Sequence, residues 1–198
     1  MRITSRGHRL AAAALLASGL AALLHPSHAF AEPIAEQVVE TAPPLAFNTF
    51  LDRLMVAESA GRRNAKNPRS TALGPFQFIN RTFLAVARRH FSSEIAGLSE
   101  KQILGLRTDP KVSRRAAAVY CEESASYLKG KGFQPTFAHL RLAFLLGPAD
   151  AARIMQAPQQ TPVVRVLSPA VIKANPFMRS MSVSDLIAKS IQDVSTRG

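Results

Sequence analysis

The chain has 198 residues, 47% of them hydrophobic, and a formal net charge of +12. This composition excludes an intrinsically disordered chain and a disulfide-built mini-protein, and the length suits one domain with accessory segments. The single cysteine, Cys121, excludes an internal disulfide.

The first segment reads as an export signal. Arg2, Arg6 and Arg9 precede an apolar run from Leu10 to Leu24, and Ala29-Phe30-Ala31 has the small-x-small form of a signal-peptidase site. The apolar run is shorter than the ~20 residues a bilayer span needs, and no later segment is apolar enough for a second one. The expectation is a signal peptide over residues 1–31, cleavage before Glu32, a periplasmic protein, and no stable membrane insertion. Loss of the three leader arginines lowers the charge by three to +9. That excess suits a polyanionic partner such as a carboxylate-bearing wall polymer, or serves solubility alone.

Residues 32–46 contain Pro33, Pro43 and Pro44 without sustained periodicity and read as a linker. From Phe47 the pattern turns helical, with Phe47, Phe50, Leu51, Leu54 and Met55 on one face. Asn80 reads as the N-cap of a second helix carrying Phe83, Val86 and Ala87 inward. Ser99–Gln102 is a capping box, and Asp109 with Pro110 opens a long helix ending at Gly130. Cys121 falls on this helix as a packed thiol.

The stretch "PTFAHLRLAFLLG" is apolar nearly all round, interrupted by Arg141, and belongs at the centre of a fold. Gly147-Pro148 ends it and a short helix follows. Residues 157–169 read as a loop, with "TPVVRVL" as the one strand candidate. Ser182 caps a last helix with Leu186, Ile187, Ile191 and Val194 inward. The chain is expected to be all-α, with a C-terminal helical extension over residues 156–198.

Glu58 continues the apolar stripe of the first helix, three and four positions on from Leu51 and Leu54. A carboxyl there, partly buried near a helix C-terminus, has its charged form disfavoured, which suits a general acid. The spacing leaves a second reading open: a glutamate held by a core hydrogen bond or by Arg62 at i+4. After it come Ser59, a basic stretch with Arg62, Arg63, Lys66 and Arg69, and then Ser70-Thr71-Ala72-Leu73-Gly74-Pro75-Phe76-Gln77. Gln77 lies 19 positions after Glu58.

Glu58-Ser59, the Gly74-to-Gln77 stretch and Ala143-Phe144-Leu145-Leu146-Gly147-Pro148, in this order, resemble the soluble lytic transglycosylase family, with its goose-type lysozyme fold. The third motif departs from the family's Ala-Tyr-Asn-x-Gly-Pro: Phe144 stands for the tyrosine and Leu145 for the asparagine. The likeness covers roughly residues 47–155. It implies cleavage of the MurNAc–GlcNAc β-1,4 bond of peptidoglycan, with Glu58 as acid and then base and a 1,6-anhydromuramyl end as product. It implies no cofactor or metal, and a monomer that meets glycan strands and, in some settings, an envelope assembly. Ser59, Ser70, Gly74, Phe76, Gln77 and Phe144 are the candidate substrate-binding residues.

Two further candidates come from the long helix. Tyr120 supplies a hydroxyl that Phe144 lacks, or packs as core. Glu123, on the stripe of Ala116, Tyr120 and Tyr127, either approaches the cleft or pairs with an arginine, Arg141 being the candidate. The basic residues after Glu58 form a solvated loop or meet peptide-stem carboxylates. Asp52 is turned away from Glu58 by its offset on the helix, and His90 and His139 have no metal-ligand spacing. The alternatives are a lysozyme-type hydrolase on the same fold and a non-catalytic peptidoglycan-binding component. Nucleic acid is disfavoured by the export signal and by the absence of interleaved aromatic and basic residues.

Overall fold

The structure, a computed structural model, describes residues 46–195. The expected signal peptide and nearly all of the linker lie outside the described residues. Within them the chain is all-α: α1 (Phe47–Ser59), α2 (Asn80–His90), α3 (Glu100–Gly105), α4 (Pro110–Gly130), α5 (Phe137–Leu146), α6 (Pro148–Gln156), α7 (Pro169–Ala174) and α8 (Val183–Val194). Short 3₁₀ turns at Leu106–Thr108, Val163–Arg165 and Pro176–Ser180 join some of them. No strand occurs among the described residues; pairing is limited to isolated bridges, two of them within the loop after α1.

Local chemistry sets the helix ends. Ser99 and Ser182 form capping boxes with Gln102 and Asp185, and the Asp109 carboxylate accepts from the backbone N–H groups of Lys111 and Val112 ahead of Pro110. Each arrangement satisfies amides that the first helical turn leaves without a partner. At α5, Thr136 and His139 form a further capping box, which gives His139 a structural role. Asn80 does not cap α2: Ile79 holds that position with no side-chain bond, and the Asn80 backbone N–H donates to Thr71 Oγ1. "TPVVRVL" is not a strand. It forms the 3₁₀ turn at Val163–Arg165, because its one backbone bridge is between Pro162 and Ser182.

The core has two adjoining parts. Phe50, Leu54, Phe76, Phe78, Phe83, Val86, Ala116 and Cys121 fill the first, between α1, the loop, α2 and the first half of α4. Leu128, Leu142, Ile154, Val163, Met178 and Leu186 fill the second, between α5, α6 and the C-terminal stretch. The helix α5 serves both, with Leu140 in the first part and Leu142 and Ala143 in the second. Its nearly uniform apolarity follows, because it packs against α4, α6 and α8. The residues after 155 belong to the same compact unit as those before, and Val194 reaches the first core. No described helix is long and apolar enough to cross a membrane.

Candidate functional site

The chain leaves α1 through a left-handed corner, Ala60 at φ 53° and Gly61 at φ 75°. Because the helix stops at Ser59, Arg62 has no i+4 relation to Glu58; its Nε donates to the Ser59 carbonyl at 3.0 Å. Ser59 is buried and its hydroxyl donates to the Pro75 carbonyl at 2.7 Å, fastening the loop to the helix end. Gly74, at φ 89°, lies so close to the Arg107 backbone that a Cβ would sit 2.0 Å from its carbonyl oxygen. Only glycine fits there.

The Arg107 guanidinium, itself buried, donates to the carbonyls of Thr71 at 2.7 Å and Phe78 at 3.0 Å. Gln77 adopts φ 48°, and its Nε2 donates to the carbonyls of Ala65 and Gly74, both at 2.9 Å. Both amide hydrogens are therefore spent bracing the loop, and Oε1 is left as an acceptor.

This braced loop forms one wall of a cleft of about 620 Å³. Glu58, Ser70 and Gln77 line it from the α1 side, Arg81 from α2, Tyr120 from α4, Phe144 and Gly147 from the end of α5, Val171 from α7, and Asn175 from just beyond α7. Phe78, Tyr120 and Phe144 pack edge to face with centroids 5.3–6.1 Å apart and make an aromatic side to the cleft. The C-terminal stretch thus contributes directly to this cavity.

The sequence candidates divide accordingly. Glu58, Ser70, Gln77, Tyr120 and Phe144 meet at the cleft. Ser59, Gly74 and Phe76 do not line it: Ser59 and Gly74 build the loop, and Phe76 is 1% exposed and packs as core. Glu123 does not line it either. It pairs with Arg89 through two bonds of 2.7 and 2.8 Å and with His90 at 2.7 Å, not with Arg141. Asp52 pairs with Arg114, and the side chains of Arg62, Arg63, Lys66 and Arg69 are exposed.

Arg141 instead joins Glu58. Its Nη1 donates to Glu58 Oε1 at 2.8 Å and its Nε to Asp193 Oδ2 at 2.9 Å, while Lys189 Nζ reaches Asp193 Oδ1 at 3.0 Å. The Arg141 side chain is 4% exposed and the Glu58 side chain 13%. Glu58 lines the cleft, and with Oε1 taken by Arg141 its Oε2 has no hydrogen-bond partner among the described residues and is not fully sealed. Burial raises the Glu58 carboxyl above the usual range against the opposing pull of Arg141, and the Asp193 carboxylate adds to the rise. Arg141 Nη1 donates to Oε1, so when the carboxyl is protonated the proton sits on Oε2.

Around this acid the neighbours are fixed in charge. Burial pushes the Tyr120 phenol up to about 12, so its hydroxyl stays a donor. Burial does the same to the Cys121 thiol, also to about 12, which removes it as a nucleophile. Ser70 Oγ accepts from the Ala72 amide at 3.2 Å, a local turn role at the cleft edge. Among the described residues no group of three or more His, Cys, Asp or Glu side chains comes close enough to hold a metal.

Sequence reasoning missed Asp193 and Lys189. A signal existed for them. A charge inside an apolar helix needs a partner, and Asp193 with Lys189 is an i, i+4 pair on an amphipathic helix. No known protein family matches the chain, and no curated protein matches it.

Proposed function

We propose that the protein cleaves the glycan strands of peptidoglycan as a lytic transglycosylase, on a goose-type lysozyme-like helical domain and in the periplasm. One observation carries this: an acid with a raised pKa presents a single free oxygen to an open cleft while a guanidinium fixes the other. Glu58 Oε2 would give its proton to the leaving glycosidic oxygen. The substrate's own 2-acetamido group would stabilise the developing cation at the sugar carbon. The resulting carboxylate, steadied by Arg141, would then accept the proton of the muramyl 6-hydroxyl as that oxygen closes onto the same carbon, giving the 1,6-anhydro end. One residue serves twice, so the cleft needs no second acid, unlike the two-carboxylate glycosidases.

Gln77 Oε1 would accept from a sugar hydroxyl or acetamido N–H, and Phe144 and Tyr120 would offer an apolar face to the ring. The Tyr120 hydroxyl stands in for the one Phe144 lacks; the two rings are 5.6 Å apart at their centroids.

Digestion of purified peptidoglycan, followed by mass analysis of the muropeptides, tests the reading. The wild type should release anhydro-muropeptides, and Glu58→Gln should lower the rate by at least ~100-fold. Products one water heavier would identify a hydrolase instead. The Arg141 ion pair itself favours a second reading, a non-catalytic wall-binding component, because the guanidinium favours the ionised form and opposes the proton that a general acid must hold. That reading predicts no release by the wild type and wall binding that survives Glu58→Gln.

A further inference from the structure

Resting on that reading of Glu58, the last helix enters the chemistry from outside the three motifs. Arg141 has two carboxylates on one buried guanidinium, Glu58 from α1 and Asp193 from α8, 52 positions along the chain from Arg141. Its Nε faces Asp193 and its Nη1 faces Glu58, so the two bonds leave the fork from different nitrogens and fix its plane. The geometry is held independently by Arg53 of α1, whose Nη1 donates to the Val194 carbonyl at 2.7 Å and ties the two helices together one residue beyond Asp193.

From this geometry we infer that Asp193 is a positioning residue for Glu58, acting through Arg141, and that Lys189 sets how strongly it acts. With Asp193 ionised, the guanidinium is shared and Glu58 keeps its proton on the cleft-facing oxygen. Without the Asp193 charge, Arg141 serves Glu58 alone and draws it toward the carboxylate. Lys189 works against Asp193: remove its ammonium and the Asp193 charge acts on Glu58 undiminished. Among the described residues lining the cleft, the other charged or titratable groups are Arg81 on α2 and Tyr120 on α4. Neither bonds to the Arg141 guanidinium. Asp52, on the same helix as Glu58, is occupied by Arg114.

The two variants Asp193→Asn and Lys189→Met test this, because they change the same contact with opposite charge. General-acid catalysis is lost as pH rises through the Glu58 pKa. Asp193→Asn should therefore move the alkaline limb of the peptidoglycan-cleavage profile down, and Lys189→Met should move it up, each by on the order of one pH unit or less. Carboxyl ¹³C NMR of Glu58, assigned against Glu58→Gln, should show the same opposite displacements without needing turnover. Limbs and resonances that stay put in both folded variants, or move the same way, would overturn the inference, since a merely structural contact would lower activity and stability in both without moving the limb. A wild type that releases no muropeptides would overturn the proposed activity, while the NMR titration would still decide the coupling. If Asp193→Asn fails to fold, Lys189→Met, at a side chain that is 38% exposed, carries the test alone.

Discussion

Glu58 and Glu123 begin alike. Each lies on an otherwise apolar helical stripe, and each ends on an arginine. Glu123 accepts from Nε and Nη2 of Arg89 and pairs with a His90 ring nitrogen at a site where its side chain is 31% exposed, and the Arg89 hydrogen bonds hold its carboxyl below the usual range. Glu58 takes one bond from an arginine shared with Asp193, at 13% exposure, and burial carries its carboxyl above that range. An arginine within bonding distance therefore does not decide the protonation state. The outcome depends on how much of the guanidinium one carboxylate receives and how much water it loses. Only the second arrangement raises the carboxyl's hold on its proton.

The widest separation between the two sites should come from removing the cations. Arg141→Met removes the cation bonded to Glu58, leaves Asp193 with Lys189 alone, and should cost about 3–5 kcal/mol at pH 8. The loss should shrink toward pH 5, where the carboxyls can take up protons instead. Arg89→Met removes a partner with 53% side-chain exposure and should cost about 1 kcal/mol or less. Urea unfolding of both at the two pH values measures this. Equal losses would mean that Arg141 is solvated and that the contrast does not hold.

The cleft wall beside Glu58 has its own weak point. Gly74→Ala meets the Arg107 carbonyl at a Cβ distance of 2.0 Å and should cost about 2–4 kcal/mol. Gly132→Ala, at φ 87° with open space around it, carries only the backbone penalty of about 1 kcal/mol. Unfolding midpoints for the two variants separate the packing cost from the torsional one. Similar midpoints would mean that the loop yields to the added methyl group.

The sequence-legible parts of this molecule were local. Ser99, Asp109 and Ser182 announce their helices because a cap bonds two or three residues away. Asn80 misled because its neighbour Ile79 takes the cap position and Thr71 supplies the acceptor from across the loop. The β-branched run at Val163-Val164 failed as a strand for want of a ladder partner. At the site, spacing alone placed Glu58 on an apolar helical face, whereas Gln77 was singled out by the motif likeness and not by periodicity. The partner of Glu58 was not readable, because Arg141 lies 83 positions away and the i+4 alternative, Arg62, vanishes when the helix ends at Ser59. Glu123 sits on an apolar stripe by period, yet Arg89 and His90 reach it from α2, which no periodicity within α4 records.

The smallest effects give the clearest test, because their pH dependence differs in sign. Glu123 has a lowered folded pKa, so its contribution is complete above the unfolded carboxyl pKa and fades as pH falls through the folded one. Glu123→Gln should lose up to about 1 kcal/mol at pH 7, limited by solvent screening, and converge on wild type in acid. Glu58 has a raised folded pKa, so its ionisation weakens the fold as pH rises from the unfolded value through the folded one. Glu58→Gln, fixed in the uncharged form, should match wild type in acid and be equal or more stable by about 1 kcal/mol at pH 8. Thermal unfolding of the two glutamines between pH 4 and 8 should then give difference curves of opposite slope. A Glu58→Gln curve that falls alongside that of Glu123→Gln would show Arg141 holding Glu58 ionised, and the proton it needs to donate would not be there.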